Sequence, residues 1–139
     1  MTDTILAQLS DEMAAAVARA ARSTVLVDAR RRLPASGIAW TENAVLTSDH
    51  ALEREDNITV RLEGGREIAA TIAGRDPGSD LAVLKVDLEL EPIERAPEGS
   101  ARVGSMVLAL GRPSEEGIQA SFGVLGSVGG PWRTFRGTR

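Results

Sequence analysis

The sequence predicts an all-β fold, an antiparallel barrel or sandwich preceded by one N-terminal helix. Three observations predict it. Only residues 4–22 carry a 3.6-residue apolar period. From Ser23 to Val86 the chain breaks into six short β-rich segments with no helical stretch between them. Turn chemistry separates those segments at close spacing.

The elements follow in order. Ile5, Leu9, Met13 and Val17 form an i, i+4 row, so residues 4–22 read as an amphipathic helix. Ser10, followed by Asp11 and Glu12, marks either a local cap or a break. The expected role is packing on the domain that follows, with a partner-binding or oligomer helix as the alternative. "TVLVDAR" (24–30) is an alternating strand, and "RRR" (30–32) is its solvated end. "SGIAW" (36–40) and "NAVLTS" (43–48) flank Thr41-Glu42, a hairpin turn. "NITVRL" (57–62) and "REIAATIAG" (66–74) flank Glu63-Gly64-Gly65, a strong hairpin signal. "DPGSD" (76–80) is a turn, and "LAVLKV" (81–86) is apolar enough to be a buried strand.

Residues 87–103, with Pro92 and Pro97, read as a polar surface connection. "SMVLALG" (105–111) and "IQASFGVLGSV" (118–128) are strands again, followed by "GGPWRTFRGTR". Two strands cannot close a second barrel, so the sequence reads as unfinished at its C-terminus.

Composition narrows the function. Hydrophobic residues make up 42% but aromatics only 3%, so Val, Leu, Ile and Ala must build the core. The net charge of −4 provides no basic field for nucleic acid or an acidic membrane. There are no cysteines, which excludes disulfides, thiolate metal sites and a cysteine nucleophile. One histidine and no cysteine argue against a zinc site, and no cofactor motif occurs. The N-terminus lacks a secretory pattern and no run of about 18 apolar residues occurs, so the expected compartment is the cytoplasm.

"SGIAWTENAVLTSDHAL", "ITVRLEGGREIAATIAGRDPGSDLAVLKV", "VGSMVLALGRP" and "QASFGVLGSVGG" stand in one order and spacing. Together they resemble the HtrA/Deg-type serine proteases over roughly residues 10–135. The resemblance implies a trypsin-like double β-barrel, with the first barrel complete and the second only begun. It divides the chain into an N-terminal helix (1–22), a first barrel carrying His and Asp (23–90), an inter-barrel connection (91–103) and the start of a second barrel (104–139). It also implies a polypeptide substrate, no metal or cofactor, and assembly with copies of itself, since such proteins are commonly trimers. Family members usually act outside the cytoplasm.

The family's histidine position matches His50, and its aspartate position matches Asp80. The chemistry suits both. An imidazole can take the proton of a serine hydroxyl and return it to a leaving amine. A buried carboxylate on the other ring nitrogen sets the tautomer. Asp49 adjoins His50, but neighbours on a strand face opposite sides. Asp76, before Pro77, reads as a turn-former.

The family's nucleophile lies in Gly-x-Ser-Gly-Gly-Pro, which this chain does not contain. In "GSVGGPW" an extra Val128 separates Ser127 from Gly129, so Ser127 reads as a turn residue. Ser36 and Ser48 read as structural. The serine and oxyanion hole are therefore expected beyond Arg139. Two other readings stand beside the protease: a non-catalytic trypsin-fold binding or chaperone-like module, and an unrelated small β-barrel. The last would gain if His50 and Asp80 proved more than about 5 Å apart, beyond hydrogen-bond reach.

Overall fold

The structure is a computed structural model that describes residues 4–131. Residues 1–3 of the expected helical segment and 132–139 of the expected second-barrel segment lie outside the described residues.

Helix α1 spans Ile5–Ala21, and Thr4 caps it by accepting the Ala7 N–H at 3.0 Å. It runs unbroken through Ser10. Its first turn is open to solvent, with Ile5 and Leu6 exposed. Farther along, Leu9, Met13 and Ala16 border a small cavity of about 250 Å³ against the second sheet.

Six strands then close into a barrel: β1 (Thr24–Asp28), β2 (Ala35–Thr41), β3 (Ala44–Ser48), β4 (Ile58–Arg61), β5 (Glu67–Asp76) and β6 (Leu81–Val86). Their order around the wall is β1-β2-β3-β6-β5-β4, and β1 pairs with β4 to complete it. Closure leaves no unpaired strand edge. The β1 strand stops at Asp28, two residues short of the sequence reading, because the chain turns out of the sheet before the arginine run. The β2–β3 hairpin turns at Glu42-Asn43, one residue later than expected. The Asn43 N–H and Oδ1 both bond the Thr41 hydroxyl there.

Alternation along each strand fills the barrel. Val25, Val27, Val45, Ile58, Val60 and Leu84 are its largest fully buried side chains. Each contributes about 1.5–3 kcal/mol relative to exposure. Valines dominate this set. Gly37 of β2 faces this packing. A Cβ built there would meet Val45 Cγ1 at 2.7 Å and Val27 Cγ2 at 2.9 Å. Gly37→Ala is therefore expected to cost about 1–3 kcal/mol through overpacking. In urea unfolding its midpoint should fall with the m-value unchanged; an unaltered midpoint would show that the valines yield freely.

Residues 87–103 differ from the expected surface connection. Leu90 is buried in the core, and its N–H donates to the Glu42 carbonyl at 2.6 Å. Ile93 N–H donates to Ala39 O at 2.8 Å, and the Arg95 guanidinium stacks 3.7 Å from the Trp40 ring centroid. The polar composition hides a segment strapped along β2.

Strands β7 (Met106–Gly111) and β8 (Gln119–Val124) form a separate two-stranded antiparallel sheet. The β8 strand ends four residues before the sequence reading. Arg112, just past β7, ties this sheet to the barrel. Its backbone N–H donates to Ser36 Oγ at 2.7 Å, Nε donates to Thr24 O at 2.9 Å, and a terminal nitrogen donates to Ala21 O at 3.0 Å. Ala21 O belongs to the last turn of α1, where carbonyls lack helical partners and a cation is favoured. Met106, Phe122 and Val124 remain exposed on the sheet.

Candidate active site

β3 ends at Ser48 and passes into a single 3₁₀ turn, Asp49–Ala51. His50 is the middle residue of that turn. Asp80 closes the connection between β5 and β6 with φ of 57°, the left-handed region that Asp tolerates better than most residues. Although 30 residues separate them, β3 and β6 pair directly, with Ser48 opposite Leu81. That register places the residue leaving β3 beside the residue entering β6.

Three bonds join the two segments. Asp49 N–H donates to the Asp80 carbonyl at 3.1 Å, and His50 N–H donates to Asp80 Oδ1 at 2.9 Å. The His50 imidazole Nδ1 lies 2.6 Å from Asp80 Oδ2. Both carboxylate oxygens thus hold the same residue, which fixes the ring and places the Nδ1 proton toward the carboxylate. The His50 N–H first, and the imidazole second, hold the Asp80 carboxyl below the usual carboxylate range. Nε2 bonds no other described residue, and the imidazole side chain is 65% exposed. A neutral ring held in this tautomer presents Nε2 as a proton acceptor.

The carboxylate is less enclosed than the triad chemistry suggested: the Asp80 side chain is 50% exposed. It stands on a turn at the rim of the barrel, where its partners come from one side. Asp49 does not stand on a strand, so strand alternation is not what separates it from the ring. It is buried, and its carboxylate is engaged by Arg75 Nε at 2.6 Å. Asp76 makes the turn expected of it, accepting Gly78 N–H at 3.2 Å and the Ser79 hydroxyl at 2.7 Å. Ser36 serves Arg112, Ser48 stands just before the 3₁₀ turn without a side-chain capping bond, and Ser127 is exposed in an irregular segment.

His50 and Asp80 do not themselves line the cleft next to them, but the adjoining strand ends Ser48 and Leu81 do, in a cleft of about 410 Å³ walled by Ile38 and Thr47 from the barrel and by Leu108 and Leu110 from β7. No cluster of metal-ligating side chains occurs among the described residues. Sequence reasoning missed Arg75, Arg54 and Arg112. Arg54 binds the Arg30 and Asn57 carbonyls together with the carbonyl and carboxylate of Asp28, holding the loop after the histidine turn against the end of β1. The available signal was weak: Gly74 in a strand hints at a bulge.

A closed six-stranded barrel, a second antiparallel sheet and a histidine–aspartate pair next to the cleft between them define the trypsin-fold class. A family model described as a trypsin-like peptidase domain matches residues 35–139, and the chain belongs to that family. Within it the chain is HtrA/Deg-like. It is 35% identical over 98 residues to "Serine endoprotease DegS" of Haemophilus influenzae, covering 68% of this chain and 28% of that protein. It is 33% identical over 87 residues to "Periplasmic pH-dependent serine endoprotease DegQ" of Escherichia coli, covering 61% of this chain and 19% of the relative. The crystal structure of the serine endoprotease from Yersinia pestis superposes with a TM-score of 0.74 at 33% identity, covering 82% of this chain and 44% of that one. The chain therefore spans less than half the length of the relatives it matches. Several of those relatives are named periplasmic, and no described helix is long and apolar enough to cross a membrane.

Proposed function

We propose that this chain supplies the base and the orienting acid of an HtrA-type serine endopeptidase. The observation that carries the proposal is the 2.6 Å contact between His50 Nδ1 and Asp80 Oδ2, with Nε2 left open. It lies well inside the separation of about 5 Å beyond which the unrelated-barrel reading would have gained. His50 Nε2 takes the proton of a serine hydroxyl as that oxygen attacks a peptide carbonyl, then returns it to the leaving amine. Asp80 keeps the ring in the right tautomer and stabilises the imidazolium formed in between. A polypeptide substrate lies in the cleft beside Leu81, and no metal or cofactor takes part.

The serine and the oxyanion-hole donors come from outside residues 1–139, because no Gly-x-Ser-Gly-Gly-Pro occurs within them. The domain limits at 22, 90 and 103 follow from the same reading, as does assembly with further copies of the chain. The relatives' names favour action in the periplasm.

The test is direct. The 139-residue chain, incubated with a fluorophosphonate probe, is expected to show no labelling and no peptide turnover. A base without its nucleophile and oxyanion hole retains little of the acceleration. Stoichiometric labelling, mapped to Ser127 by mass spectrometry, would sink the assignment of the serine to another segment.

A further inference from the structure

We propose that Arg75 is a positioning residue for His50, and that a β-bulge at Ala73 exists to aim it. The proposal rests on His50 being the base, and its observations come from the opposite side of the histidine turn.

The β5–β6 register shifts between Ile72 and Gly74. Ile72 opposes Leu84 and Gly74 opposes Val83, so Ala73 has no cross-strand partner. Past the bulge Arg75 opposes Ala82. Directly opposed residues share one face of a sheet. Ala82 and Leu84 are both fully buried, so Arg75 follows the inward-facing row at the open end of the barrel, where its side chain is still 31% exposed. In an unshifted ladder Arg75 would oppose Leu81, which is 46% exposed, and its side chain would leave the interior face. Bulges re-aim side chains in this way.

At that end of the barrel Arg75 meets the histidine turn. Ala82 also opposes Thr47 of β3, two residues before Asp49. Arg75 Nε donates to Asp49 Oδ1 at 2.6 Å, while its NH2 donates to the Asp49 carbonyl at 3.3 Å and the Leu52 carbonyl at 3.2 Å. One guanidinium therefore grips the first residue of the 3₁₀ turn and the residue just after it, with His50 between. Asp80 holds the same turn from β6 through its carbonyl and carboxylate. A three-residue turn has little stability of its own. Clamped from both sides, it cannot rotate His50 away from Asp80. Lysine could not replace this grip, since an ammonium lacks the planar fork.

The test uses the ¹⁵N-labelled 139-residue chain, in which His50 supplies the only imidazole signals. Wild type is expected to show a protected imidazole N–H and a slowly exchanging His50 amide. In Arg75→Gln both should exchange about tenfold faster, through local opening of the turn. The amides of Val45, Val60 and Leu84 should keep their protection. Arg75→Lys should fall between the two. Deletion of Ala73, which keeps Arg75 but restores the unshifted ladder, should reproduce the Arg75→Gln result at His50. Unchanged His50 exchange in Arg75→Gln overturns the proposal. So does equal loss of protection throughout the barrel in Arg75→Gln and Arg75→Lys, which would mark a role in the fold as a whole. A wild-type chain with no protected imidazole N–H would instead remove the His50–Asp80 pairing itself, and the positioning role with it.

Discussion

His50→Ala is expected to lower kcat by about 10⁶-fold in an enzyme that joins residues 1–139 to a serine-bearing second half. His50 is the one histidine of residues 1–139, and an imidazole is suited to take and return a proton near neutral pH. The flanking carboxylates cannot replace it, because Asp80 is held by the turn and Asp49 is buried against Arg75. KM should change little, since the ring lies at the rim and the cleft walls are supplied by Ile38, Leu81, Leu108 and Leu110. Steady-state hydrolysis of an unfolded protein substrate by the variant and its parent measures the effect. A loss of less than about 10²-fold, the low end for general base catalysis, would remove His50 from that role.

Asp80→Asn is expected to lower kcat by about 10⁴-fold while leaving the backbone in place. An asparagine can still accept the His50 backbone N–H. Turned that way, its amide N–H₂ faces the imidazole and selects the tautomer with the proton on Nε2. That nitrogen then has no lone pair for the serine. Activity comparable to wild type would mean that the carboxylate does not set the tautomer.

The same substitution has a consequence for stability. The Asp80 carboxyl is held below its ordinary range, first by the His50 N–H and then by its ring. A carboxyl depressed in the folded state contributes stability above its unfolded-state pKa and loses it as the pH falls through its folded-state value. Wild type should therefore be more stable than Asp80→Asn at neutral pH, and the difference should shrink as the pH drops to about 4 and below. Thermal unfolding of both proteins across that range measures it. A difference that stays constant into strong acid would exclude the carboxylate as its source.

The barrel strands were legible because their signals are local. Glu63-Gly64-Gly65 makes a turn that needs positive φ at both glycines, and the structure gives them 87° and 90°. "LAVLKV" is a strand from Leu81 to Val86 as read, since an apolar run bounded by turn residues has few alternatives. The i, i+4 row defined α1 for the same reason, while its cap, Thr4, came from the structure. His50 and Asp80 were legible only because their surroundings resemble a family; nothing in their spacing states that β3 and β6 are neighbours.

Position within the barrel settled the rest. Pairing of β3 with β6 turned a separation of 30 residues into a hydrogen bond, because antiparallel neighbours bring the end of one strand to the start of the other. Arg75 and Asp49 are 26 residues apart, and a one-residue bulge decides whether they meet. Arg112 reaches Ala21 across 91 residues. Leu90 looks like part of a polar loop until β2 is beside it. By itself the sequence determined which stretches would be helix, strand and turn, since backbone preference and side-chain period act over a few residues. Tertiary structure alone decided which charged groups would pair at the barrel's end, since that depends on register and closure, which no local pattern encodes.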